Sequence, residues 1–336
     1  MDRHGHPGRR VRDRATARSE VMRYHRKIIR ITAEDSPNVK RVRHLMSLGK
    51  GDDGKLIIPG VLSWAELQRR RKLWDAIRQS IGLDAQFYDG AELKLYPQQW
   101  MDRAEQKWRG ITGQRRAKGI GIDPGEGMAN TSMVAVDYQG VMGIKSVKTP
   151  DTADIIPIVT DFVVKTGCDW RDVTFDAGGG GKQIGHELRK RGKRVRIVGF
   201  GEGINVELKR GMQTFSDKQE VQEERRTYGN RRAQMYGALH DLLDPSLNPQ
   251  GFALPPSSAC EEAERLRHQM SMIPKLYDGE DKLILPPKSR KAGQKPGTGL
   301  KPLSELIGYS PDELDALVLA VDALFTEASA KRIGVS

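Results

Sequence analysis

Aspartates that follow short apolar segments are the residues of this sequence best suited to chemistry. Asp123 ends the segment 119–122, and a turn rich in glycine comes next. Asp176 ends the segment 173–175, and four consecutive glycines begin two residues later. A carboxylate that is buried without a partner is costly, so each aspartate is expected to meet a cation. The alternative for Asp123 is a turn residue, which is a common use of Asp-Pro-Gly. Repetition of the pattern at Asp176 makes a turn role less favoured for both residues.

The third candidate is an acidic cluster, which precedes the last apolar run of the chain. Asp312 and Asp315 stand three residues apart, which places them on one face of a helix. Helix capping explains part of this cluster, since Ser310 can cap, Pro311 suits the first turn and Glu313 completes a capping box. Capping explains Asp315 less well, because this residue leads directly into the apolar run. Two acids on one face of a mostly buried helix require a cation or another partner, and we interpret the cluster as the third part of a site.

The chemistry that fits these side chains is metal-assisted hydrolysis. Carboxylate oxygens alone form a ligand set that suits Mg²⁺ or Mn²⁺ rather than zinc. Two such ions about 3.5–4 Å apart can activate a water molecule and stabilise the leaving oxygen of a phosphodiester. Cys168 and Cys260 lack the spacing of a zinc site and suit a reducing compartment. The sequence therefore predicts a site for Mg²⁺ or Mn²⁺, with two ions expected.

The composition indicates a polyanionic partner. The chain has 336 residues and a formal net charge of +12, which favours nucleic acid over a membrane surface. No apolar run approaches the ~18–20 residues that span a bilayer. The arginines near the start are not followed by the apolar segment of a signal peptide. We therefore expect a nucleic-acid partner and no membrane partner.

The elements that position the aspartates are predicted from the apolar pattern. Strands are predicted at 119–123, 131–138, 141–148, 172–176 and 194–200, with a short strand near 283–285. Helices are predicted at 63–81, 96–108, 152–166, 182–191, 228–243 and 311–328. Three adjacent strands followed by alternating helix and strand imply an α/β fold, with a mixed β-sheet and helices on both faces.

Changes in composition divide the chain into three parts. Residues 1–30 contain ten Lys or Arg against three Asp or Glu, which is typical of a basic flexible arm. The more specific alternative is an arm that binds the phosphate groups of a nucleic acid. Residues 31–112 are expected to be mostly helical, and residues 113–330 to form the α/β domain. A glycine-rich turn at 49–56 nearly matches a phosphate-binding loop, but Leu56 stands where Ser or Thr must contact magnesium. No ATP-binding loop and no ATP hydrolysis are therefore expected.

Four segments carry a resemblance to a known family. They are Gly121–Gly125, Phe175–Gly181, Asn230–Tyr236 and Pro311–Leu317. In their order and spacing they resemble the ribonuclease H-like nuclease domain of the large terminase subunits of tailed bacteriophages. The stretch 57–108 resembles the connection between the ATPase and nuclease domains of that family. The chain departs from the family in lacking a phosphate loop, and in having Ser-Pro where the last motif often has His and Asp.

The resemblance implies a function and a set of site residues. Asp123, Asp176 and Asp312 would be the catalytic, metal-binding triad, with Asp315 or Glu313 as helpers. The activity would be that of a two-metal-ion endonuclease, which cuts double-stranded DNA during phage genome packaging in the host bacterial cytoplasm. Partners would be double-stranded DNA, the small terminase subunit, the portal protein and a separate ATPase subunit. Residues 31–112 would correspond to the connection between ATPase and nuclease.

Basic residues near these segments are expected to contact DNA. They lie before the first strand, after the glycine run and in a late basic loop: Arg115, Arg116, Lys118, Lys182, Lys288, Arg290 and Lys291. Arg231 and Arg232 would face either DNA or solvent, on a helix that is otherwise structural. The alternatives are a junction resolvase or transposase of the same fold, and a DNA-binding scaffold without nuclease activity. The presence of all three acids argues against the scaffold.

Overall fold

The computed structural model describes residues 30–74, 76–85, 94–125, 130–204, 227–290 and 299–325. The chain divides into two compact units between residues 91 and 92. The predicted arm, residues 1–30, lies outside the described residues except for its last residue. In the described part of the chain, every helix is too short or too polar to cross a membrane.

The first unit is a small helical cluster. Its helices are α1 (Pro37–Ser47), α2 (Trp64–Leu73) and α3 (Ala76–Gly82). Val39, Leu67 and Leu83 form its buried apolar core. The division of the chain places the next helix, α4 (Gln98–Arg109), in the second unit. The boundary that we drew at residue 112, between a connecting segment and the α/β domain, stays a prediction.

The start of α2 follows the predicted pattern, but its end does not. Ser63 caps the helix, because its hydroxyl oxygen accepts a hydrogen bond from the Glu66 N–H at 3.1 Å. The single helix predicted over 63–81 is instead broken at Trp74, which has an extended backbone. The Gln79 side chain donates to the carbonyls of Arg71 and Trp74 at 2.9 and 2.7 Å. The break is stable because this amide satisfies carbonyls that a helix end would leave open.

The second unit is built on a mixed five-stranded sheet, as predicted. Its strands are β1 (Gly119–Asp123), β2 (Asn130–Asp137), β3 (Gly140–Lys148), β4 (Val173–Asp176) and β5 (Arg196–Val198). Their order across the sheet is β3-β2-β1-β4-β5. The first three strands pair antiparallel, whereas β1, β4 and β5 are parallel. Strands β1 and β4, which end on Asp123 and Asp176, are therefore neighbours that run in the same direction.

Helices cover both faces of this sheet. One face packs on α5 (Ile155–Thr166) and α6 (Gly181–Lys190), through side chains that include Ile120, Ile122 and Phe175. The other face packs on α7 (Arg231–Leu243) and α10 (Asp312–Leu324). The same core includes side chains from α4, α8 (Glu261–Met272), α9 (Leu303–Ile307) and the hairpin of β6 (Leu276–Tyr277) with β7 (Leu283–Ile284). Helices α1, α8 and α9 were not predicted from the sequence.

Two glycines of β1 allow α10 to lie directly on the sheet. In β1, isoleucines at alternate positions enter the core beside α5, so Gly119 and Gly121 face the opposite side. A Cβ at Gly119 would lie 2.4 Å from the carbonyl oxygen of Ala320, and one at Gly121 would lie 1.9 Å from that of Ala316. The close approach of α10 fixes where its first turn, with Asp312, meets the end of β1.

A methyl group at Gly121 is expected to destabilise the protein. Gly121→Ala must push α10 away from β1, since the added carbon meets backbone rather than a flexible side chain. We expect a loss of at least roughly 1–3 kcal/mol in the free energy of unfolding, measured by urea denaturation. Gly143→Ala on β3 is the control, because its Cβ would only reach the Phe162 ring at 3.9 Å. Equal stability of the two variants would contradict this account of the packing.

Candidate active site

The four candidate aspartates converge at one edge of the sheet. Asp123 and Asp176 are the last residues of β1 and β4, which are paired in parallel with Ile122 opposite Phe175. Both carboxylates therefore emerge at the carboxyl edge of neighbouring strands. Helix α10 begins at this edge with Asp312 and, one turn later, Asp315. The parallel pairing and the packing of α10 on β1 together form the cluster that the sequence predicted.

Lys288 lies at the centre of this cluster. Its Nζ is 2.7 Å from Asp123 Oδ2, 3.1 Å from Asp315 Oδ2 and 3.3 Å from Asp312 Oδ1. Burial alone would lower the pKa of Lys288, but the carboxylates of Asp315, Asp123 and Asp312 outweigh burial and raise it. The lysine therefore remains a cation. We predicted it as a DNA contact in a basic loop, and the structure places it among the carboxylates.

Asp123 and Asp176 are the least compensated acids of the cluster. Burial raises the pKa of Asp123, and the attraction of Lys288 offsets that rise only in part. Burial also raises the pKa of Asp176, against a hydrogen bond from the Gly178 N–H. Asp176 is 9% exposed and forms no salt bridge with any described residue. Additional positive charge nearby would lower the pKa of both groups.

Asp315 is held from the opposite side by helix α7. Arg232 Nη2 lies 3.1 Å from Asp315 Oδ1, and the Tyr236 hydroxyl donates to the same oxygen at 2.7 Å. Burial alone would raise the pKa of Asp315, but Arg232 and Lys288 outweigh burial and lower it. This carboxylate is therefore ionised and fixed in orientation. It also raises the pKa of both Asp123 and Asp176, so it is electrostatically close to both.

Asp312 lies nearer the rim. Its side chain is 14% exposed, whereas that of Asp315 is fully buried. The Ser310 hydroxyl donates to Asp312 Oδ1. Asp312 raises the pKa of Asp123, but it is not among the main charges that act on Asp176. Asp315, rather than Asp312, thus acts electrostatically on both strand-end carboxylates.

The predicted helper Glu313 is engaged by side chains outside the carboxylate cluster. Its carboxylate accepts from Arg265 Nε at 2.7 Å, Ser146 Oγ at 2.8 Å and Gln269 Nε2 at 2.5 Å. Gln269 Oε1 also accepts the Leu314 N–H at 2.9 Å. The capping box predicted from Ser310 and Glu313 is not formed, since the Ser310 hydroxyl donates to Asp312 Oδ1 and the N-cap residue of α10 makes no side-chain capping bond. The bonds of Glu313 and Gln269 instead tie the first turn of α10 to α8 and β3.

The predicted DNA contacts before β1 lie at the far end of that strand from Asp123. Arg115 is engaged with Asp137, through Nε to Oδ2 at 2.7 Å. Arg116 donates from Nε to the Gly167 carbonyl, and Lys118 is exposed. The structure does not bring these three residues together with the aspartates.

The remaining predicted contacts are more dispersed. Lys182 is exposed in the first turn of α6, close in sequence to Asp176. Arg290 forms a salt bridge with Glu305 at 2.6 Å. Lys291 lies outside the described residues. Contact with DNA stays a prediction for all of these groups.

Arg231 and Arg232 face neither DNA nor solvent, contrary to both interpretations from the sequence. Arg231 Nη2 pairs with Asp322 Oδ1 at 2.6 Å, and both side chains are buried. Arg232 pairs with Asp315, as described above. Sequence reasoning missed Arg232 and Tyr236 as partners of the site. Their spacing of four residues on a mostly apolar helix was the available signal, since it places both on one face.

The charges of the cluster fit a divalent cation. Among the described residues, four carboxylates meet two cationic groups, the ammonium of Lys288 and the guanidinium of Arg232. The excess negative charge is concentrated at Asp123 and Asp176, whose pKa values are raised. An all-carboxylate ligand set of this kind suits Mg²⁺ or Mn²⁺.

The cluster is not preformed for an ion as its side chains stand. No three His, Cys, Asp or Glu side chains in the described ranges already surround a metal position. The physical reason is the Lys288 ammonium, which lies among the carboxylates and contacts three of them. Metal binding therefore requires this long side chain to move aside, whereas Asp123 and Asp176 are positioned by the sheet.

The comparison with known proteins identifies the fold. No protein-family model matches the sequence, and no curated protein matches it. The nuclease domain of the large terminase subunit gp2 of bacterial virus Sf6 is similar in structure, with a TM-score of 0.51 and 18% identity over 68% of this chain and 98% of that domain. A mutant of that nuclease domain with manganese also has a TM-score of 0.51, over 68% of this chain and 99% of that one. A mutant form with calcium has a TM-score of 0.50.

These likenesses confirm the predicted fold class. The chain has the ribonuclease H-like α/β fold of the large terminase nuclease domains, with the expected mixed sheet and helices on both faces.

Proposed function

We propose that this chain, which has the fold of a terminase nuclease domain, is a metal-dependent endonuclease that cuts double-stranded DNA during phage genome packaging. The observation that carries the proposal is the carboxylate cluster at the ends of β1 and β4. Its strand-end acids are positioned by backbone pairing, and Asp176 is buried without a cationic partner among the described residues. A polyanionic substrate fits the net charge of +12.

Asp123, Asp176 and Asp315 are the central metal ligands in this proposal, and Asp312 is a ligand at the rim. Asp315 takes the central place because it acts electrostatically on both strand-end acids. Bound Mg²⁺ or Mn²⁺ ions, two in the complete site, supply a water-derived nucleophile and stabilise the leaving oxygen. The protein holds its ligands rigidly, since two are strand ends and Asp315 is clamped by Arg232 and Tyr236.

Lys288 has two roles in the proposed site. Without metal its ammonium compensates the carboxylates, which lowers the cost of holding four acids together. A bound metal ion would supply that compensation instead, and the Lys288 ammonium would then be available to attract a phosphate group of the substrate. Its side chain is 34% exposed, so it can reach solvent and substrate from its present position.

The packaging context supplies the proposed partners. Double-stranded DNA is the substrate, and the small terminase subunit, the portal protein and a separate ATPase subunit are the proposed protein partners. The separate ATPase follows from the incomplete phosphate loop, in which Leu56 replaces the required hydroxyl residue. The host bacterial cytoplasm is the proposed location, because packaging takes place there.

Binding of Mg²⁺ or Mn²⁺ is expected to raise thermal stability. A ligand that binds only the folded state stabilises it, by about 2.7 kcal/mol at a concentration of 100 Kd. The melting temperature, measured by calorimetry, should therefore rise with added Mn²⁺ and return to its starting value with EDTA. Asp176→Asn should remove most of the shift, because it removes an acid without a cationic partner.

The control for this measurement is Asp161→Asn, a change to a half-exposed carboxylate on α5 that lies outside the cluster. It should retain the full shift. Cleavage of supercoiled plasmid, followed on gels in the same metal series, tests the activity itself. A protein that binds DNA but shows neither the shift nor cleavage would be the non-catalytic scaffold.

A further inference from the structure

One exposed face of α6 concentrates positive charge beside the carboxylate cluster. Lys182, His186 and Arg189 stand at i, i+4 and i+7, so they share one side of the helix, and all three are exposed. Lys193 and Arg194 follow just past the helix end, where Lys193 is half-buried with its Nζ 5.2 Å from the centre of the Trp170 ring. We call these five residues the α6 basic face. The opposite side of α6 carries Ile184 and Leu188 into the core, which fixes the basic face outward.

The cations of this face form no salt bridges with carboxylates of the described residues. Among the described residues, no acid lies within salt-bridge distance of Lys182, Arg189, Lys193 or Arg194, whereas Glu187 pairs with Lys190 and Arg191 further round the helix. Arg189 donates only to the Val195 carbonyl, at 2.9 Å. An ordinary solvated helix face mixes both signs of charge. Unpaired charge of one sign fits a partner that brings the opposite charge.

The basic face is joined directly to the proposed active site. A Cβ at Gly181, the first residue of α6, would lie 2.0 Å from the Asp176 carbonyl oxygen and 2.9 Å from Pro124. Lys182 follows this contact immediately. Gly179 and Gly180 adopt left-handed backbone conformations that turn the chain from β4 into α6 within a few residues. The basic face therefore starts at the carboxylate cluster and runs away from it along the helix axis.

The length of the face matches a short stretch of nucleic-acid backbone. Ten helical residues extend about 15 Å. Each strand of DNA advances about 3.4 Å per nucleotide, so this length corresponds to roughly four phosphates. Of the permanent cations of the face, Lys182 and Arg189 lie within that length, and Lys193 and Arg194 follow it along the chain.

We propose that the α6 basic face is the track that holds one DNA strand as it enters the carboxylate site. This inference rests on the proposed nuclease function, because it takes the carboxylate cluster as the place of cutting. The track contacts phosphates and does not recognise the base sequence, since it consists of charged side chains on the outside of a helix. It also gives Lys182 a defined partner, the phosphate nearest the cluster.

The test compares two variants that each remove two positive charges. Lys182→Gln/Arg189→Gln weakens the track, and Lys145→Gln/Lys148→Gln removes lysines of β3, the strand at the opposite edge of the sheet. Affinity for a labelled 30-base-pair duplex is measured over a salt series in EDTA, so that cleavage does not interfere. Each lost phosphate contact lowers the salt slope of log K by about 0.9, so the track variant should lose about 1.8 and the control should match the parent.

The outcomes separate this proposal from the nuclease proposal. A reduced slope for the track variant alone supports the track, whether or not the parent protein cuts DNA. Equal slopes for parent and track variant, or equal losses in both variants, overturn it; the first result would be expected if the face binds an acidic protein instead. Melting temperatures near that of the parent confirm that both variants fold, as expected for surface substitutions.

Discussion

Replacing Asp123 with asparagine is expected to abolish metal-dependent cleavage of plasmid DNA. Asp123 ends the central strand β1, which fixes its position, and its Oδ2 lies 2.7 Å from the Lys288 ammonium. Changes to residues that only support metal ligands cost about 10–100-fold in metal affinity or activity. Loss of a ligand should therefore reduce the cleavage rate by more than about 100-fold.

The same variant should bind DNA at least as well as the parent. Asn removes a negative charge near the phosphate path and nearly preserves the shape of the side chain. Binding is measured in EDTA with the labelled duplex, and cleavage with supercoiled plasmid in Mn²⁺. Asp161→Asn on α5 serves as the control and should cut normally. If Asp123→Asn cuts as well as the parent in Mn²⁺, the assignment of the site is wrong.

A paired comparison discriminates between the two acids of α10. Asp315→Asn should impair cleavage as severely as Asp123→Asn, because Asp315 acts electrostatically on both strand-end acids and shares Lys288 with Asp123. Asp312→Asn should retain more activity, since Asp312 lies at the rim and is partly exposed. The opposite ranking would make Asp312 the third central ligand and leave Asp315 as the residue that fixes Lys288.

Replacing Arg232 with methionine is expected to destabilise the fold strongly. The guanidinium is 8% exposed, and it pairs with Asp315, whose carboxylate is fully buried. Removal of one partner from a buried ion pair leaves an uncompensated charge, which typically costs about 3–5 kcal/mol. Lys288 still contacts Asp315, so the loss should lie toward the lower end of that range. Urea denaturation measures the change in the free energy of unfolding.

The second member of this test removes both charges. Arg232→Met/Asp315→Leu should recover much of the lost stability, because a buried ion pair that is replaced by apolar groups is often neutral in stability. Arg171→Met is the surface control; it breaks a half-exposed pair with Asp169, and no measurable loss is expected. A double variant that is less stable than Arg232→Met would show that the pair is not the main source of the effect.

The sequence alone determined which strands and which helix carry the acids of the candidate site. Apolar runs of four to eight residues that end on Asp123 and Asp176 defined two strands and placed a carboxylate at the end of each. The apolar run after Asp315 likewise predicted the last helix. These features are local, because a strand or helix is specified by neighbours within a few residues. The five-stranded sheet and the helices α4, α5, α6, α7 and α10 were therefore predicted, whereas α8 and α9 were not. The role of the acids stays a prediction.

Only the tertiary structure decided what surrounds the acids. Lys288 contacts Asp123 across 165 positions of sequence, and Arg232 contacts Asp315 across 83. No local pattern distinguishes these cations from the basic residues of a solvated surface, and Lys288 was therefore predicted as an ordinary DNA contact. The same holds for Arg232. A charged residue next to a second arginine is predicted to be exposed as long as its contact with Asp315 of α10 is unknown.

The roles of Asp312 and Asp315 depended on tertiary packing in the same way. Sequence places both acids on one face of α10, but the depth of each is set by how the helix lies on β1. Gly119 and Gly121 allow contact between the helix backbone and the strand, and that contact buries Asp315 completely while Asp312 stays at the rim. Spacing along the sequence defines which side chains share one face of a helix. The burial of those side chains and their hydrogen-bond and ion-pair partners depend on the elements against which that face packs.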